Sequence, residues 1–199
     1  MVENKKYELI KTDTKEFMGK TLFRIKALIN GNYFEKGELG GYIEKELNLS
    51  INGDAWVYGN AMVYGNAMVY GNARVYGNAM VYGNAWVYGN AMVYGNARVY
   101  GNARVYGNAM VYGNAMVYGN AMVYGNAMVY GDAWVYGNAR VYGDAWVYGN
   151  ARVYGNAMVS ARIDLDCEID FELTPRIIIN SKRKLEKYKK VMLNLSTEE

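Results

Sequence analysis

Hydrophobic and polar positions follow a fixed period of six residues along most of this chain. Residues 53–160 form eighteen hexads of the type Gly-(Asn/Asp)-Ala-x-Val-Tyr without an insertion, and only Ser160 departs from the final Tyr. Within a hexad, Ala and Val lie two positions apart, as do x and Tyr. Because residues two apart share a face of a strand, each hexad predicts a strand with a small aliphatic face and a bulky face.

Glycine followed by Asn or Asp separates each predicted strand from the next. Both residue types tolerate positive φ, so each pair predicts a tight corner. Short strands and corners at constant phase generate a solenoid, and three edges close a triangular coil of eighteen residues. The hexads therefore predict six coils stacked ~4.8 Å apart. Ala and Val are expected inside, because so narrow a coil has no room for Met and Tyr.

The variable x positions fall into three columns, because every third hexad returns to the same edge. We call the outer surfaces that carry them the first, second and third faces, and each has a flanking column of Tyr. The first column holds Trp56, Arg74, Met92, Met110, Met128 and Trp146; the second holds Met62, Met80, Arg98, Met116, Trp134 and Arg152; the third holds Met68, Trp86, Arg104, Met122, Arg140 and Met158.

Large apolar and guanidinium side chains occupy these outward columns. Such residue types are enriched at the centres of protein interfaces, so the faces are predicted to bind protein. A structural role is the alternative, since stacked Tyr shields the backbone and corner Asn bonds coil to coil. The candidate interaction residues are Trp56, Trp86, Trp134, Trp146, Arg74, Arg98, Arg104, Arg140, Arg152, Met110, Met116 and Met122.

The repeat and the segment before it resemble known families. The spacing Val-x-x-x-Ala-x resembles the hexapeptide repeat of left-handed parallel β-helices. The leader resembles that of a phage and prophage family of left-handed β-helix proteins related to YdcK, whose members are labelled transferases on fold analogy alone. This second resemblance implies a phage-derived accessory protein. It is carried by residues 6–9, 21–28, 37–44, 48–50 and 53–57.

The predicted fold is all-β: a left-handed parallel β-helix of about six coils (53–160), an N-terminal β-rich cap (1–52), and a C-terminal strand plus short helix (161–199). Caps are expected because an open solenoid exposes unpaired strand edges. Residues 21–29 predict a strand, residues 30–32 a turn, and Gly40 and Gly41 a close backbone approach.

From Ala161 to Leu173, every second residue continues the set of side chains predicted to point into the core, and the mostly acidic residues between them are predicted to face outward. Cys167 belongs to the inward set and is therefore a predicted core residue. Helical spacing of apolar residues in 182–195 predicts a basic helix packed on the last coil. A recognition helix for nucleic acid or for an acidic partner is the alternative interpretation of that segment.

Composition narrows the chemistry. The 199 residues include no His and one Cys, which excludes His-based acid–base catalysis, His-ligated metal and an intrachain disulfide. Acyltransferases of the left-handed β-helix fold use a His base, and its γ-type carbonic anhydrases bind zinc through His. We therefore expect no catalytic, metal or cofactor site. An acyltransferase-like enzyme that uses carboxylates is the less favoured interpretation.

The expected function is a non-catalytic scaffold that binds and blocks a host defence protein. Self-association as a homodimer or trimer is also expected, with Trp134, or Trp56 and Trp146, losing solvent contact. The alternative is single-stranded nucleic acid or carbohydrate along the Tyr, Trp and Arg faces, although a net charge of +3 gives it little support. With no signal sequence and no apolar run, a cytoplasmic location in the host cell and no membrane partner are expected.

Overall fold

The computed structural model describes residues 5–164, 168–169, 178–179 and 185–188. Three strands precede the repeat, β1 (Tyr7–Phe17), β2 (Lys20–Ala27) and β3 (Leu39–Ile43), and one 3₁₀ turn follows them at Glu46–Asn48. The predicted strand in residues 21–29 is confirmed as β2. Residues 185–188 are helical.

Every hexad contributes one short strand, because the Gly-Asn corner interrupts the extended conformation. These strands are β4 (Trp56–Val57), β5 (Met62–Val63), β6 (Met68–Val69), β7 (Arg74–Val75), β8 (Met80–Val81), β9 (Trp86–Val87), β10 (Met92–Val93), β11 (Arg98–Val99), β12 (Arg104–Val105), β13 (Met110–Val111), β14 (Met116–Val117), β15 (Met122–Val123), β16 (Met128–Val129), β17 (Trp134–Val135), β18 (Arg140–Val141), β19 (Trp146–Tyr148), β20 (Arg152–Val153) and β21 (Met158–Val159). Beyond the repeat lie β22 (Arg162–Asp164), β23 (Glu168–Ile169) and β24 (Ile178–Ile179).

The short strands stack into three parallel sheets, one for each face. The first sheet runs β4-β7-β10-β13-β16-β19-β22-β24, and the third runs β6-β9-β12-β15-β18-β21. The second begins with the antiparallel pair β1-β2, continues through β3, and then takes β5-β8-β11-β14-β17-β20-β23. The protein is a parallel β-solenoid whose hexads form six coils, as the period predicts.

The core contains the residues that the alternation places inside. Every Ala and every Val of the repeat has no solvent-exposed surface. Ile163 and Ile169 continue this column beyond the repeat, and Leu185 and Tyr188 of the helical turn pack against the same core. The inward phase and the packed C-terminal helix are therefore confirmed at these positions. Cys167 and the other predicted core residues of the C-terminal segment, Leu165, Phe171 and Leu173, lie outside the described residues.

Backbone N–H groups at the x and Tyr positions donate to the Ala and Val carbonyl oxygens of the following coil. Met92 N donates to Ala109 O at 2.9 Å, and Tyr94 N donates to Val111 O at 3.0 Å. Each donor thus precedes its acceptor along the chain by almost one coil. As a consequence, the first coil presents carbonyl oxygens that no earlier coil of the repeat could satisfy.

Strand β3 supplies donors to those carbonyls on the second face. Tyr42 N donates to Ala61 O at 2.9 Å. The predicted close approach at the two glycines is confirmed, because a Cβ atom on Gly41 would lie 2.6 Å from Ala61 O, and one on Gly40 would lie 2.6 Å from Val57 O. Side chains at these positions would separate β3 from the first coil.

Two buried polar side chains supply donors on the other two faces. Asn48 Nδ2 donates to Ala67 O at 2.8 Å and to Gly65 O at 3.1 Å on the third face. Lys6 Nζ donates to Ala55 O at 2.6 Å on the first face, and also to Gly53 O and to Ser50 O before the repeat. Within the described residues, these are the only buried polar or charged side chains. The N-terminal segment therefore ends the solenoid by satisfying its carbonyl edge.

Replacing Gly101 with Ala tests the tight coil stacking. Gly101 has φ of +70°, and a Cβ atom there would lie 3.0 Å from Gly119 N. Gly19 has φ of +72° but nothing within 4 Å of the added atom. Gly19→Ala should therefore cost about 1–2 kcal/mol from conformation alone, and Gly101→Ala should cost more. Urea unfolding measures both, and equal losses would contradict close packing at the corners.

Asn48→Asp is an isosteric change that tests whether the Asn48 amide stabilises the protein by donating to the carbonyls of the first coil. The substitution removes a buried amide donor from two carbonyls and replaces it with an acceptor, so the free energy of unfolding should fall by about 2–4 kcal/mol. Asn120→Asp is the control, because the equivalent exposed corner positions of the other two ladders already hold Asp132 and Asp144. This control should lose about 1 kcal/mol or less. Thermal and urea unfolding compare the two, and similar losses would rule out a special role for Asn48.

Candidate interaction faces

Stacked tyrosines form a ladder on every face. Tyr58 and Tyr76 meet edge to face at the start of the first face. Later rings stack face to face, for example Tyr94 and Tyr112 at 4.7 Å between centroids and Tyr112 and Tyr130 at 4.8 Å. The predicted ladder is confirmed. Because each ring face is covered by the ring of the next coil, the faces present ring edges and hydroxyl groups outward.

Corner amides bond coil to coil, as predicted. In the ladder that borders the third face, Asn102 Nδ2 donates to Asn120 Oδ1 at 3.0 Å, and the same bond joins every neighbouring pair from Asn66 to Asn156. In the other two ladders Asp132 and Asp144 accept the equivalent bond at 2.9 Å. The acidic residues thus replace Asn without breaking the ladder at their own position.

Three tryptophans of the outward columns each have a guanidinium over the ring. The cation comes from the next coil, at 4.6 to 4.9 Å from the centroid, and a methionine is the in-register neighbour on the other side. The pairs are Arg104 over Trp86, Arg152 over Trp134, and Arg162 over Trp146; the methionines are Met68, Met116 and Met128. Both ring faces therefore have neighbours within the protein.

Trp56 is not exposed, and its prediction as an interaction residue is wrong. Its side chain is completely buried, stacked on Phe34 at 4.3 Å and edge-on to Tyr7. The physical reason is that the segment after β2 folds back across the start of the first face. Arg74 lies beneath the same segment, with its guanidinium 4.4 Å from the Tyr33 ring.

The β1–β2 hairpin covers the start of the second face. Met62 and Tyr64 are buried there against Leu22 and Phe17, although both point away from the solenoid core. The remainder of this face stays open and includes the predicted residues Arg98, Met116, Trp134 and Arg152. A groove of about 440 Å³ crosses it, lined by Asn96, Arg98, Asn114, Met116, Asp132 and Trp134.

The third face remains uncovered by β1, β2 and β3. At its N-terminal end lies a groove of about 590 Å³, whose lining includes Leu47, Ile51, Met68 and Trp86. Leu47 is 74% exposed, and Trp86 is 36% exposed. Leu47 and Ile51 were missed by the sequence reasoning because they lie outside the repeat, and two apolar residues among polar neighbours carry no periodic signal.

The other predicted residues occupy three separate surfaces. Arg98, Arg104, Arg140 and Arg152 are exposed, whereas the candidate methionines and the two remaining tryptophans are half-buried. Since the three faces point in different directions, the structure does not gather the candidates into one site. The half-buried residues are Met110, Met116, Met122, Trp134 and Trp146.

Within residues 5–164 and the short described stretches beyond them, no three carboxylate or cysteine side chains lie close enough to hold a metal ion together. The same portion of the chain contains no helix with the length and apolar character to cross a membrane.

An Ala and Val core enclosed by ladders of Tyr, Asn, Met, Trp and Arg defines a hexad-repeat parallel β-solenoid with three flat faces. The chain belongs to the YdcK beta-solenoid repeat family. The model of that family matches residues 55–71, 63–75, 73–89, 85–101, 97–113, 103–119, 109–123, 115–131, 121–137, 133–149 and 151–162. The sequence matches no curated protein.

The Tyr ladders predict a loss of stability at alkaline pH. Burial, reinforced by the neighbouring Tyr76 and Tyr112, raises the pKa of Tyr94 to about 12; burial likewise raises the pKa of Tyr64 to about 12. Unfolded tyrosine ionises near pH ~10, so above that pH the unfolded chain releases protons first and the free energy of unfolding falls.

Urea unfolding at a series of pH values, with tyrosinate absorbance followed in parallel, measures this effect. Stability should decline from about pH 10 to about pH 12, and Tyr94→Phe should make the decline smaller. A flat profile across that interval would show that the ladder tyrosines ionise as easily in the folded protein as in the unfolded chain.

Proposed function

We propose that this protein is a non-catalytic scaffold whose flat outer faces bind other proteins. The observation that carries the proposal is the placement of Met, Trp and Arg outside a core that is already complete with Ala and Val. Such side chains contribute most of the affinity at protein interfaces. Because the coils hold them in fixed ladders, little conformational entropy is lost on docking.

The geometry supports a protein partner over nucleic acid or sugar. Binding single strands by stacking requires aromatic faces open to the ligand. Here the Tyr rings cover one another, and an Arg from the next coil covers each of Trp86 and Trp134. The groups that remain on the surface are hydroxyls, thioether sulfurs, guanidinium groups and ring edges. This mixture of polar and apolar groups is complementary to the mixed surface of another protein.

The open part of the second face is the surface we assign to a different protein. It combines the guanidinium of Arg98, the thioether of Met116 and the indole of Trp134 around one groove. Asp132 lies on the border of the same groove, so a partner that offers an apolar side chain beside a cationic group would find complementary chemistry.

The partner we propose is a host defence protein that the scaffold blocks, in the cytoplasm of a phage-infected cell. Support comes from the resemblance of the leader, within residues 6–57, to that of the phage and prophage family. The expected mode of action is occlusion of the target rather than chemical turnover. Inhibition should then require stoichiometric amounts, because each scaffold molecule would cover one target surface.

A pull-down from host lysate with matched face variants tests the proposal. The test variant combines Met116→Thr with Trp134→Thr on the second face, and the control combines Met110→Thr with Met128→Thr on the first face. Thr suits an exposed strand position, so both variants should fold. We expect the wild-type protein and the control to retain one stoichiometric partner, and the second-face variant to lose at least about tenfold in affinity.

Three outcomes would contradict the proposal. Equal retention by both variants would exclude the second face. A salt-dependent gel shift with a short single-stranded oligonucleotide, in the absence of any protein partner, would favour the nucleic-acid alternative. Chemical turnover with substoichiometric protein would likewise exclude a purely blocking role.

A further inference from the structure

The third face has the shape and the chemistry of a contact surface that the described part of the chain leaves open. Phe34 covers the start of the first face, and Leu22 covers the start of the second face. On the third face the exposed groove residues Leu47, Met68 and Trp86 continue directly into the open column of the later coils. An open apolar surface of this kind on a rigid sheet marks an interaction site.

The two charges of the outward column on this face, Arg104 and Arg140, are of one sign, and Glu46 lines the groove at its N-terminal end. Its outward column is Met-Trp-Arg-Met-Arg-Met from Met68 to Met158, and the adjoining Tyr column adds no charge. The corner ladder that precedes it contains only Asn, whereas the ladders preceding the other two columns contain Asp. A partner surface must therefore avoid placing cations against Arg104 and Arg140.

We propose that the third face is a homodimer interface in which two copies pack face to face with their solenoid axes antiparallel. This inference rests on the proposed function, since it assigns one interaction face to a second copy and leaves the second face for a different protein. A two-fold axis in the plane of contact, along the strand direction, brings each outward column against the same column of the other copy.

The order of residues in the column selects one register. With all six coils overlapping, Met68 lies opposite Met158, Trp86 opposite Arg140, and Arg104 opposite Met122 of the second copy. Each Arg then lies against the outward edge of an indole or against a thioether, where its alkyl stem can pack without meeting another cation.

A shift of one coil in either direction creates a repulsive contact. One shift places Arg104 against Arg104 of the second copy, and the other places Arg104 against Arg140. Like charges brought together in an interface cost several kcal/mol, about as much as a weak interface provides. Full overlap is therefore favoured by charge as well as by area.

The area is sufficient for a weak dimer. Six coils at ~4.8 Å give a face about 29 Å long, and one edge of the triangle is about 18 Å wide. Two copies would bury about 1,000 Å² together before the projecting Leu47 and Ile51 are counted, at the lower limit for specific interfaces. A dissociation constant in the micromolar range is expected.

Met122→Arg tests the register by placing a second guanidinium opposite Arg104 at both symmetry-related positions. Sedimentation velocity over the micromolar range should show a dimer for the wild-type chain and at least about tenfold weaker dimerisation for Met122→Arg. Met116→Arg on the second face is the control and should dimerise normally. Adding Arg104→Glu to Met122→Arg should restore the dimer through an opposite-charge pair.

Cysteine cross-linking tests the antiparallel arrangement without altering charge. In a Cys167→Ser background, Met68→Cys and Met158→Cys variants are oxidised separately and as a mixture. Antiparallel packing should give disulfide dimers in the mixture only, because position 68 lies opposite position 158. Dimers formed by Met68→Cys alone would indicate a parallel arrangement and overturn the proposal.

The outcomes separate this inference from the proposed function. A wild-type chain that sediments as a monomer, or a dimer unaffected by Met122→Arg but lost with Met116→Arg, overturns the third-face dimer. In either case the pull-down with second-face variants still decides whether the chain binds another protein. If the third face instead captures the lysate protein, Met122→Arg abolishes that capture and no dimer is seen, which also overturns the proposal.

Discussion

The ladder of backbone hydrogen bonds between successive coils is the constraint on which the rest of this structure depends. It sets a separation of ~4.8 Å between equivalent residues. That distance is close to the spacing at which aromatic rings stack, and Tyr94 and Tyr112 accordingly lie 4.7 Å apart. It also explains the corner glycine, since a Cβ atom on Gly101 would contact the backbone of Gly119 at 3.0 Å. The side-chain ladders therefore follow from backbone geometry.

The Ala and Val carbonyls of each coil accept hydrogen bonds from the coil before it, which explains why the N-terminal segment buries donors. The first coil exposes carbonyl oxygens, and an unsatisfied buried carbonyl is costly, so the buried polar groups of the cap are an amide and an amine. Burial lowers the pKa of Lys6 to about 8. A neutral amine still carries two N–H donors, so Lys6 can bond Ala55 O in either protonation state. Burying the Lys6 amine therefore costs desolvation free energy, but its hydrogen bonds satisfy carbonyl oxygens that would otherwise lack donors at the start of the solenoid.

The repeat was predictable from sequence because one local rule recurs without interruption. Alternation assigned Val93 to the core and Met92 to a face, and the period of three hexads placed Met92 beside Arg74 and Met110. The burial of Trp56 could not be predicted in this way. It depends on where the non-repetitive segment around Phe34 folds back, and a single long-range contact has no period. The exposure of Leu47 was missed for the same reason, although the strand in residues 21–29 and the Gly40-Gly41 approach had local signals.

Irregularity within the columns is what allows such a regular surface to recognise anything specifically. A face of identical methionines would bind a complementary surface almost equally well after a shift of one coil, because every coil repeats the same contacts. Register is specified only where a residue breaks the repetition, as in the pairing of strands. Arg104 and Trp86 make such a break on the third face, and Arg98 and Trp134 make another on the second. A guanidinium that meets a like charge is penalised, whereas one whose alkyl stem packs against an apolar side chain is not. A few substitutions therefore give the scaffold both a preferred position and a means of rejecting others.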